Sequence, residues 1–277
     1  MTGKRSWRLT GLQYLVMRER LVGRRQNWPF SYISDIRGYY DFEFAKARVW
    51  GELQAEWDPA LADVLVKSLN ADIRMVAHAE DKGATNGFAD RKVMVGKRFG
   101  ERGVLIEGFV GSSPESHDEI EITECDAASL SRSIVDRLPP MDAGSQPRVE
   151  LLSTDKQDSF DHWHGRSSYF DGDDDRDVDI RSRMWQAAPK STVGRIVITQ
   201  GRSAFGPSGQ VTKYIFWEDH PDDGRYVVDL EPPIAAVATD ADALGKLIDR
   251  HCGELLLVGA DESRRGVIRE SVFDDGR

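Results

Sequence analysis

The first apolar positions of the chain recur at the spacing of an α-helix. Thr10 is the predicted N-cap, and Gln13 three residues later completes a capping box. The apolar stripe of this helix consists of Leu12, Leu15, Val16 and Leu21. The pattern predicts a second helix over residues 42–53 and a third that begins at Asp58-Pro59, where a capping residue precedes a proline.

The pattern then changes to β-branched, partly alternating segments, which indicate strands. Four come first and four more follow in the second half of the chain: 73–79, 91–98, 103–109, 120–123, 194–199, 211–217, 224–229 and 234–238. Each group of four ends in a predicted helix, the first from Asp126 and the second from Asp240. We expect both aspartates to act as N-caps rather than as catalytic acids.

The two groups of strands end alike, which indicates an internal repeat. Asp126-Ala127 with Leu130 and Ile134 matches Asp240-Ala241 with Leu244 and Ile248, always at a shift of 114 residues. The repeat predicts an α+β fold with two pseudo-symmetric halves and a central antiparallel β-sheet flanked by helices. We expect one domain over 1–277, with a first half at about 1–140 and a second half at about 181–277.

An acidic linker is predicted between the halves, at about 150–180. Residues 155–180 contain nine aspartates against Lys156, Arg166 and Arg176, which favours a solvated segment, with a short helix through Ile180 and Trp185. The formal net charge of the whole chain is −10, which argues against a nucleic-acid partner. The chain has no apolar run near the ~20 residues that span a bilayer and no signal peptide, so we expect a cytoplasmic protein without a membrane partner.

No segment of the sequence assembles a catalytic centre. Gly201 and Gly206 have the spacing of a phosphate loop, but Pro207 stands where that loop requires lysine, which favours a surface turn. His162 and His164 lack a third ligand at metal-binding spacing. Alternating aspartates resemble a calcium loop, but an arginine replaces the required glycine: Asp171, Asp173, Asp175, Asp177 and Asp179. Glu107 and Glu121 lie in strands where they could face each other, and alternation on an open sheet is the favoured explanation. Cys125 and Cys252 are expected to be buried free thiols.

Several short motifs, in their order along the chain, resemble the EspG family of cytosolic chaperones of type VII (ESX) secretion systems. The opening Trp7-x-Leu9-Thr10 is similar to that family's, as is Arg102-Gly103-Val104-Leu105 and the junction at Asp126-Ala127. The most specific motif is an acidic turn followed by a Gly-Arg-Tyr strand: Trp217, Asp219, Asp222, Asp223, Gly224, Arg225 and Tyr226. The acidic 155–180 stretch departs from the family pattern.

The resemblance implies a cytoplasmic, non-enzymatic chaperone with no cofactor. Such a protein grips the tip of the helical PPE subunit in a PE–PPE heterodimer and keeps the secretion substrate soluble. Mobile loops with aromatic residues would supply the contacts. The candidate partner-binding residues are Asp81, Lys82, Phe88, Arg91, Phe205, Gln210 and Trp217. Phe88 and Phe205 are equally compatible with folding onto the core, and core is the favoured position for Trp217.

Two other functions stay open from the sequence alone. The chain would also suit an acidic cytoplasmic adaptor that uses the aspartate-rich stretch, or a metal-dependent enzyme built on His162, His164 and the aspartates. An exposed sheet edge would allow two copies of the chain to form a homodimer. The sequence does not identify a particular PE–PPE pair.

Overall fold

The computed structural model describes residues 5–23, 29–83, 91–111, 113, 115–152 and 173–264. In this part of the chain, ten strands form a single sheet in the order β1-β5-β4-β3-β2-β7-β8-β9-β10-β6, and every neighbouring pair is antiparallel. The strands are β1 Arg5–Thr10, β2 Ile73–Asp81, β3 Lys92–Phe99, β4 Arg102–Val110, β5 His117–Asp126, β6 Arg148–Glu150, β7 Thr192–Gln200, β8 Thr212–His220, β9 Gly224–Asp229 and β10 Ala235–Ala238.

The described ranges contain six α-helices, of which five pack on the two faces of the sheet and α2 packs on α1. They are α1 Gly11–Val22, α2 Tyr39–Ala55, α3 Pro59–Lys67, α4 Leu130–Val135, α5 Asp173–Ala187 and α6 Ala241–Arg264. The predicted caps of α1 and α3 are confirmed, because Thr10 and Gln13 form the reciprocal capping box and Asp58 accepts a bond from the Ala60 N–H. A side-chain cap of this kind stabilises a helix by about 1 kcal/mol.

Only one of the two predicted aspartate caps is confirmed. The Asp240 carboxylate accepts a hydrogen bond from the Ala243 N–H at 2.7 Å and caps α6. The cap predicted at Asp126 is wrong: the chain makes a 3₁₀ turn over Ala127–Ser129 before α4 begins, and the Asp126 side chain does not bond that turn's N–H groups. Helices α4 and α6 therefore begin differently, although their sequences match in the repeat.

The predicted pseudo-symmetric halves are visible in the strand order. In each half a four-stranded meander runs outward from the centre, and the strand that precedes it in the chain lies at the outer edge. The halves meet where β2 pairs with β7, in a register that places Val76 opposite Val197. The edge strands β1 and β6 escape the sequence prediction, which otherwise finds the strands of both meanders. The boundaries predicted for the two halves and the acidic linker stay predictions.

One face of the sheet carries the main core. Helices α4 and α6 contact each other across the centre of this face. Their apolar side chains, such as Ile134 and Ile248, are fully buried against Met75, Ile196 and other sheet residues. The Cys252 thiol lies in this core, where burial raises its pKa to about 11. The prediction of a buried free thiol is confirmed there, whereas Cys125 is half-buried.

On the opposite face, the helices of the described ranges cover only the two sides. Helices α1 and α3 bury a second core over the first half, with Tyr14 and Val64 among its members. Helix α5 covers the outer part of the second half, where Trp185 packs against Tyr226. This helix begins at Asp173, inside the stretch predicted as linker, and includes the predicted short helix. The central strands between the two helical layers stay open.

Two charged clusters brace the frame. Glu107 and Glu121 face each other across β4 and β5 as predicted, but not on an open sheet: Glu107 is buried, and Arg137 binds Glu107 at 2.9 Å and Glu121 at 3.5 Å. In the acidic-turn motif, Arg225 makes two hydrogen bonds to the Asp219 carboxylate, at 2.6 and 2.8 Å. Both residues are fully buried, so the motif encodes an internal ion pair rather than a surface contact.

Candidate functional site

The uncovered middle of the sheet forms a groove of about 390 Å³. We call it the sheet groove, and define it by the residues that line it from this face: His78, Glu80, Arg91, Val93, Val193, Arg195, Phe216 and Glu218. Because side chains on one strand alternate between faces, these residues come from every second position of β2, β7 and β8, and from Val93 of β3 with Arg91 just before that strand. Both halves of the chain contribute to its floor.

The strand register arranges the groove residues in rows. One row runs from Val93 through His78 and Arg195 to Phe216, each residue directly opposite the next. The adjacent row consists of Glu80, Val193 and Glu218. Directly opposite residues on neighbouring strands have Cβ atoms ~5 Å apart, so each row forms a continuous surface.

Two aromatic side chains form the apolar centre of this surface. Tyr214 and Phe216 project from the same face of β8, with parallel rings whose centroids lie 6.2 Å apart. Tyr214 is 56 % exposed, and Phe216 is half-buried. Large, rigid aromatic side chains that are exposed in the free protein often contribute most of the affinity of a protein–protein interface.

Charged groups surround the aromatic pair. Arg195 is exposed, and within the described ranges no carboxylate pairs with it. Glu218 is held by Lys190 at 2.8 Å, and Glu80 by Lys82 at 3.1 Å. An apolar centre with a charged rim is the usual composition of a protein-binding surface.

His78 in the groove floor is electrically neutral at physiological pH. Burial, followed by the positive charges of Arg195, His117 and Arg91, lowers the pKa of His78 to about 4. In the row that runs from Val93 to Phe216, Arg195 is therefore the one positively charged side chain at physiological pH.

The low pKa of His78 makes the stability of the protein sensitive to acid. Above pH 6.5 this histidine is neutral in both states, whereas between pH 6.5 and 4 the unfolded state binds the proton first and stability falls. Between pH 7 and 5 the wild type should lose about 1–2 kcal/mol more than the His78→Gln variant, since partial solvent screening reduces the full effect. Urea denaturation at the two pH values measures this. Equal losses in both proteins would show that His78 takes a proton as readily in the folded state as in the unfolded state.

Three of the predicted partner-binding residues lie at one end of the sheet groove. Arg91 lines it directly. Asp81 ends β2 at the same end, and Lys82 follows it. The Lys82 N–H donates to the Ser191 carbonyl, and the Asp81 carboxylate accepts from the Gly83 N–H. Phe88 lies outside the described residues. The groove end therefore combines predicted loop positions with strand residues that the sequence did not single out.

Phe205 and Gln210 lie at the opposite end of the strands, in the connection between β7 and β8. Phe205 is 69 % exposed. The connection is fixed to α6 because Glu262 accepts hydrogen bonds from Gln200, Ser203 and the Ala204 N–H. Gln210 closes the base of the same connection through the Gly201 carbonyl. Along β2 the two ends of the sheet are roughly 25–30 Å apart, so these residues do not join the Asp81 end in one contact cluster.

Trp217 belongs to the core, the position that the sequence favoured for it. Its side chain is 1 % exposed and packs on the α4 and α6 face. The ring lies over Gly194, where an added Cβ would come within 2.1 Å of it. Trp217 thus supports the strand pair under the groove and does not present a surface to a partner.

Arg195 and Phe216 in the sheet groove, and Tyr214 beside it on β8, were not predicted from the sequence. A signal was present, because Thr212, Tyr214, Phe216 and Glu218 alternate with the core residues of β8. What the alternation does not reveal is that no helix covers this part of the face.

The described residues contain no group of three His, Cys, Asp or Glu side chains arranged for a metal ion. His162, His164 and Asp171 lie outside the described residues, and Asp173–Asp179 form the first turns of α5 rather than a loop. Among the described helices, none combines the length and apolar character needed to cross a bilayer.

Comparisons with known proteins identify a solved structure with a similar fold and a family whose sequence model matches the chain. Among curated proteins, none matches the sequence. A solved structure, the Mycobacterium tuberculosis type VII secretion system chaperone EspG5 in complex with the PE25-PPE41 dimer, has a similar fold, with a TM-score of 0.53 and 13 % sequence identity over 87 % of this chain and 93 % of that one. The sequence model of the EspG family matches residues 10–249. Because this match extends over most of its length, the chain belongs to the EspG family.

Proposed function

We propose that this protein is a cytosolic chaperone that binds the PPE subunit of a PE–PPE heterodimer at its helical tip and keeps the secretion substrate soluble. Family membership over residues 10–249 is the observation that carries the proposal. The likeness in fold to EspG5, which was solved in complex with PE25-PPE41, supports it. The protein acts by binding and has no catalytic function in this proposal.

The sheet groove is the proposed binding surface for the PPE tip. A helical tip exposes apolar side chains that an aromatic pair can cover, and Tyr214 with Phe216 offers such a pair. The charges of Arg91, Arg195 and Glu80 would then set the orientation of the partner. Asp81 and Lys82 at the same end would contact the rim of the tip, and Phe205 with Gln210 would form a separate contact at the other end of the sheet.

Co-expression with PE–PPE pairs from the same genome tests the proposal. We expect one pair to co-purify with the chain and to elute with it as a single species in size-exclusion chromatography. The same pair expressed without the chain should be largely insoluble. A folded chain that binds none of the pairs would contradict the chaperone function.

A deletion distinguishes this function from that of an acidic adaptor. Removal of residues 155–171 eliminates four of the nine aspartates but leaves α5, whose Trp185 is buried, in place. Co-purification with the PE–PPE pair should survive this deletion. Loss of binding in a variant that keeps the wild-type circular dichroism spectrum would assign the partner contact to the acidic stretch.

A further inference from the structure

A second cavity, of about 440 Å³, lies on the groove face of the sheet, under α1 and beside the turn that follows α3. Three basic side chains line it: Arg18 from α1, Arg74 from β2 and Lys97 from β3. We call this the cationic cavity. It shares no lining residue with the sheet groove and lies toward the opposite end of β2 and β3.

The backbone places these positive charges against one another. Arg74 and Lys97 are register partners on neighbouring strands and face the same side of the sheet. Like charges directly opposite each other on paired strands are destabilising. Burial, together with the charges of Arg18 and Arg74, lowers the pKa of Lys97 to about 8. The cavity therefore holds three basic side chains so close together that their mutual repulsion destabilises the fold.

Two of these three cations, Arg18 and Lys97, have no carboxylate partner among the described residues. None of the residues that line the cavity is an Asp or Glu. Neither Arg18 nor Lys97 forms an ion pair with a described carboxylate, and the Arg18 Nε is buried without a hydrogen-bond partner. Burial raises the pKa of the Tyr14 phenol, which stays neutral at physiological pH and adds no negative charge. The Arg18 guanidinium lies 6.0 Å from the centroid of the Tyr14 ring, a contact that brings no negative charge. Partly buried cations without a carboxylate partner are costly, so Arg18 and Lys97 favour an anionic ligand.

We propose that the cationic cavity is a binding site for a phosphate-type oxyanion, either free phosphate or a phosphate group on a larger molecule. Guanidinium groups match the geometry of such an anion, and Arg18 and Arg74 present two of them around the Lys97 ammonium. The site is independent of the proposed function, because its residues come from α1, β2 and β3 beneath a helical cover and not from the open groove.

Thermal unfolding of the full chain in inorganic phosphate, against sodium chloride of equal ionic strength, tests the site. At a tenfold excess over Kd, phosphate should raise the Tm of the wild type by roughly 3 °C. The Lys97→Met variant should lose most of this response. In chloride alone its Tm should rise, because the substitution removes a repulsive charge. The control Lys246→Met removes an exposed lysine of α6 and should respond as the wild type does.

Two results would overturn the proposal: no phosphate-dependent rise in the wild type, or an equal rise in Lys97→Met and wild type. If Lys97→Met does not fold, the Arg18→Gln variant takes its place with the same expectations. Adding a soluble phosphomonoester such as glycerol phosphate distinguishes the two sources. A larger shift than with inorganic phosphate assigns the site to a phosphate group on a larger molecule, and a smaller shift assigns it to the free anion.

Discussion

Replacing Arg225 with methionine is expected to lower the free energy of unfolding by about 3–5 kcal/mol. Arg225 and Asp219 are 1 % and 0 % exposed, so the variant would leave a carboxylate buried without its partner. The same guanidinium donates to the Pro139 carbonyl at 2.8 Å, and the Arg225 backbone bonds to Asp142 and Gly144. The substitution would therefore also loosen the segment that leads from the first half of the chain to β6. Urea denaturation followed by circular dichroism measures the loss.

An exposed ion pair between β6 and β9 provides the control. Arg148 and Asp229 lie 3.8 Å apart with both side chains over 40 % exposed, and Arg148→Met should cost less than about 1 kcal/mol. Replacing both buried partners, as in Arg225→Met with Asp219→Leu, should recover much of the stability, because no isolated charge is then left in the core. If the single Arg225 variant lost no more than the Arg148 control, the buried pair would not support the fold.

The double substitution Tyr214→Ala/Phe216→Ala should weaken binding of the PE–PPE partner by at least about 30-fold, or 2 kcal/mol. The two stacked rings lie side by side on β8, with Phe216 in the sheet groove and Tyr214 next to it, and their removal takes away this aromatic surface. Dissociation of the co-purified complex on serial dilution, followed by size-exclusion chromatography, gives the change in Kd. Thermal unfolding of the free variant shows that the fold is retained.

Another exposed aromatic pair serves as a matched control for this experiment. Tyr39 and Tyr40 on α2 have ring centroids 5.5 Å apart and are 66 % and 85 % exposed. The variant Tyr39→Ala/Tyr40→Ala removes similar aromatic area away from the groove and should bind as the wild type does. If the α2 variant lost affinity and the β8 variant kept it, the partner surface would lie on α2 and not in the sheet groove.

Much of the frame follows from local sequence signals. The Thr10–Gln13 capping box and the Asp58-Pro59 start depend only on residues within one helical turn, so they can be identified without knowing the fold. The strands of the two meanders carry their own β-branched alternation. The repeat predicted matching strand–helix junctions in the two halves. The shared Asp-Ala pair nevertheless provides a side-chain cap at only one of them, Asp240.

The features that escaped prediction depend on distant parts of the chain. Strand β1 is formed by pairing with β5, which places Leu9 opposite Ile120 across more than 100 residues, and β6 has only three residues. The Asp219–Arg225 pair was visible as a motif, but not as a buried pair, because burial is decided by the packing of other segments. The sheet groove exists because helices cover both sides of one face and leave its centre open, and no local pattern records that arrangement.

The pseudo-twofold relation between the halves exchanges β2 with β7 and β3 with β8, and thereby relates two surfaces that are otherwise unlike. The sheet groove uses the end of β2, the start of β3, the start of β7 and the end of β8. Its symmetry mate lies at the start of β2 and the end of β3, where Arg74 and Lys97 line the cationic cavity. The repeated strand arrangement thus contains the same location twice. One of these locations lies open between the helical layers, and the other is covered by α1. The two equivalent locations therefore carry different side chains and different chemistry on a single scaffold.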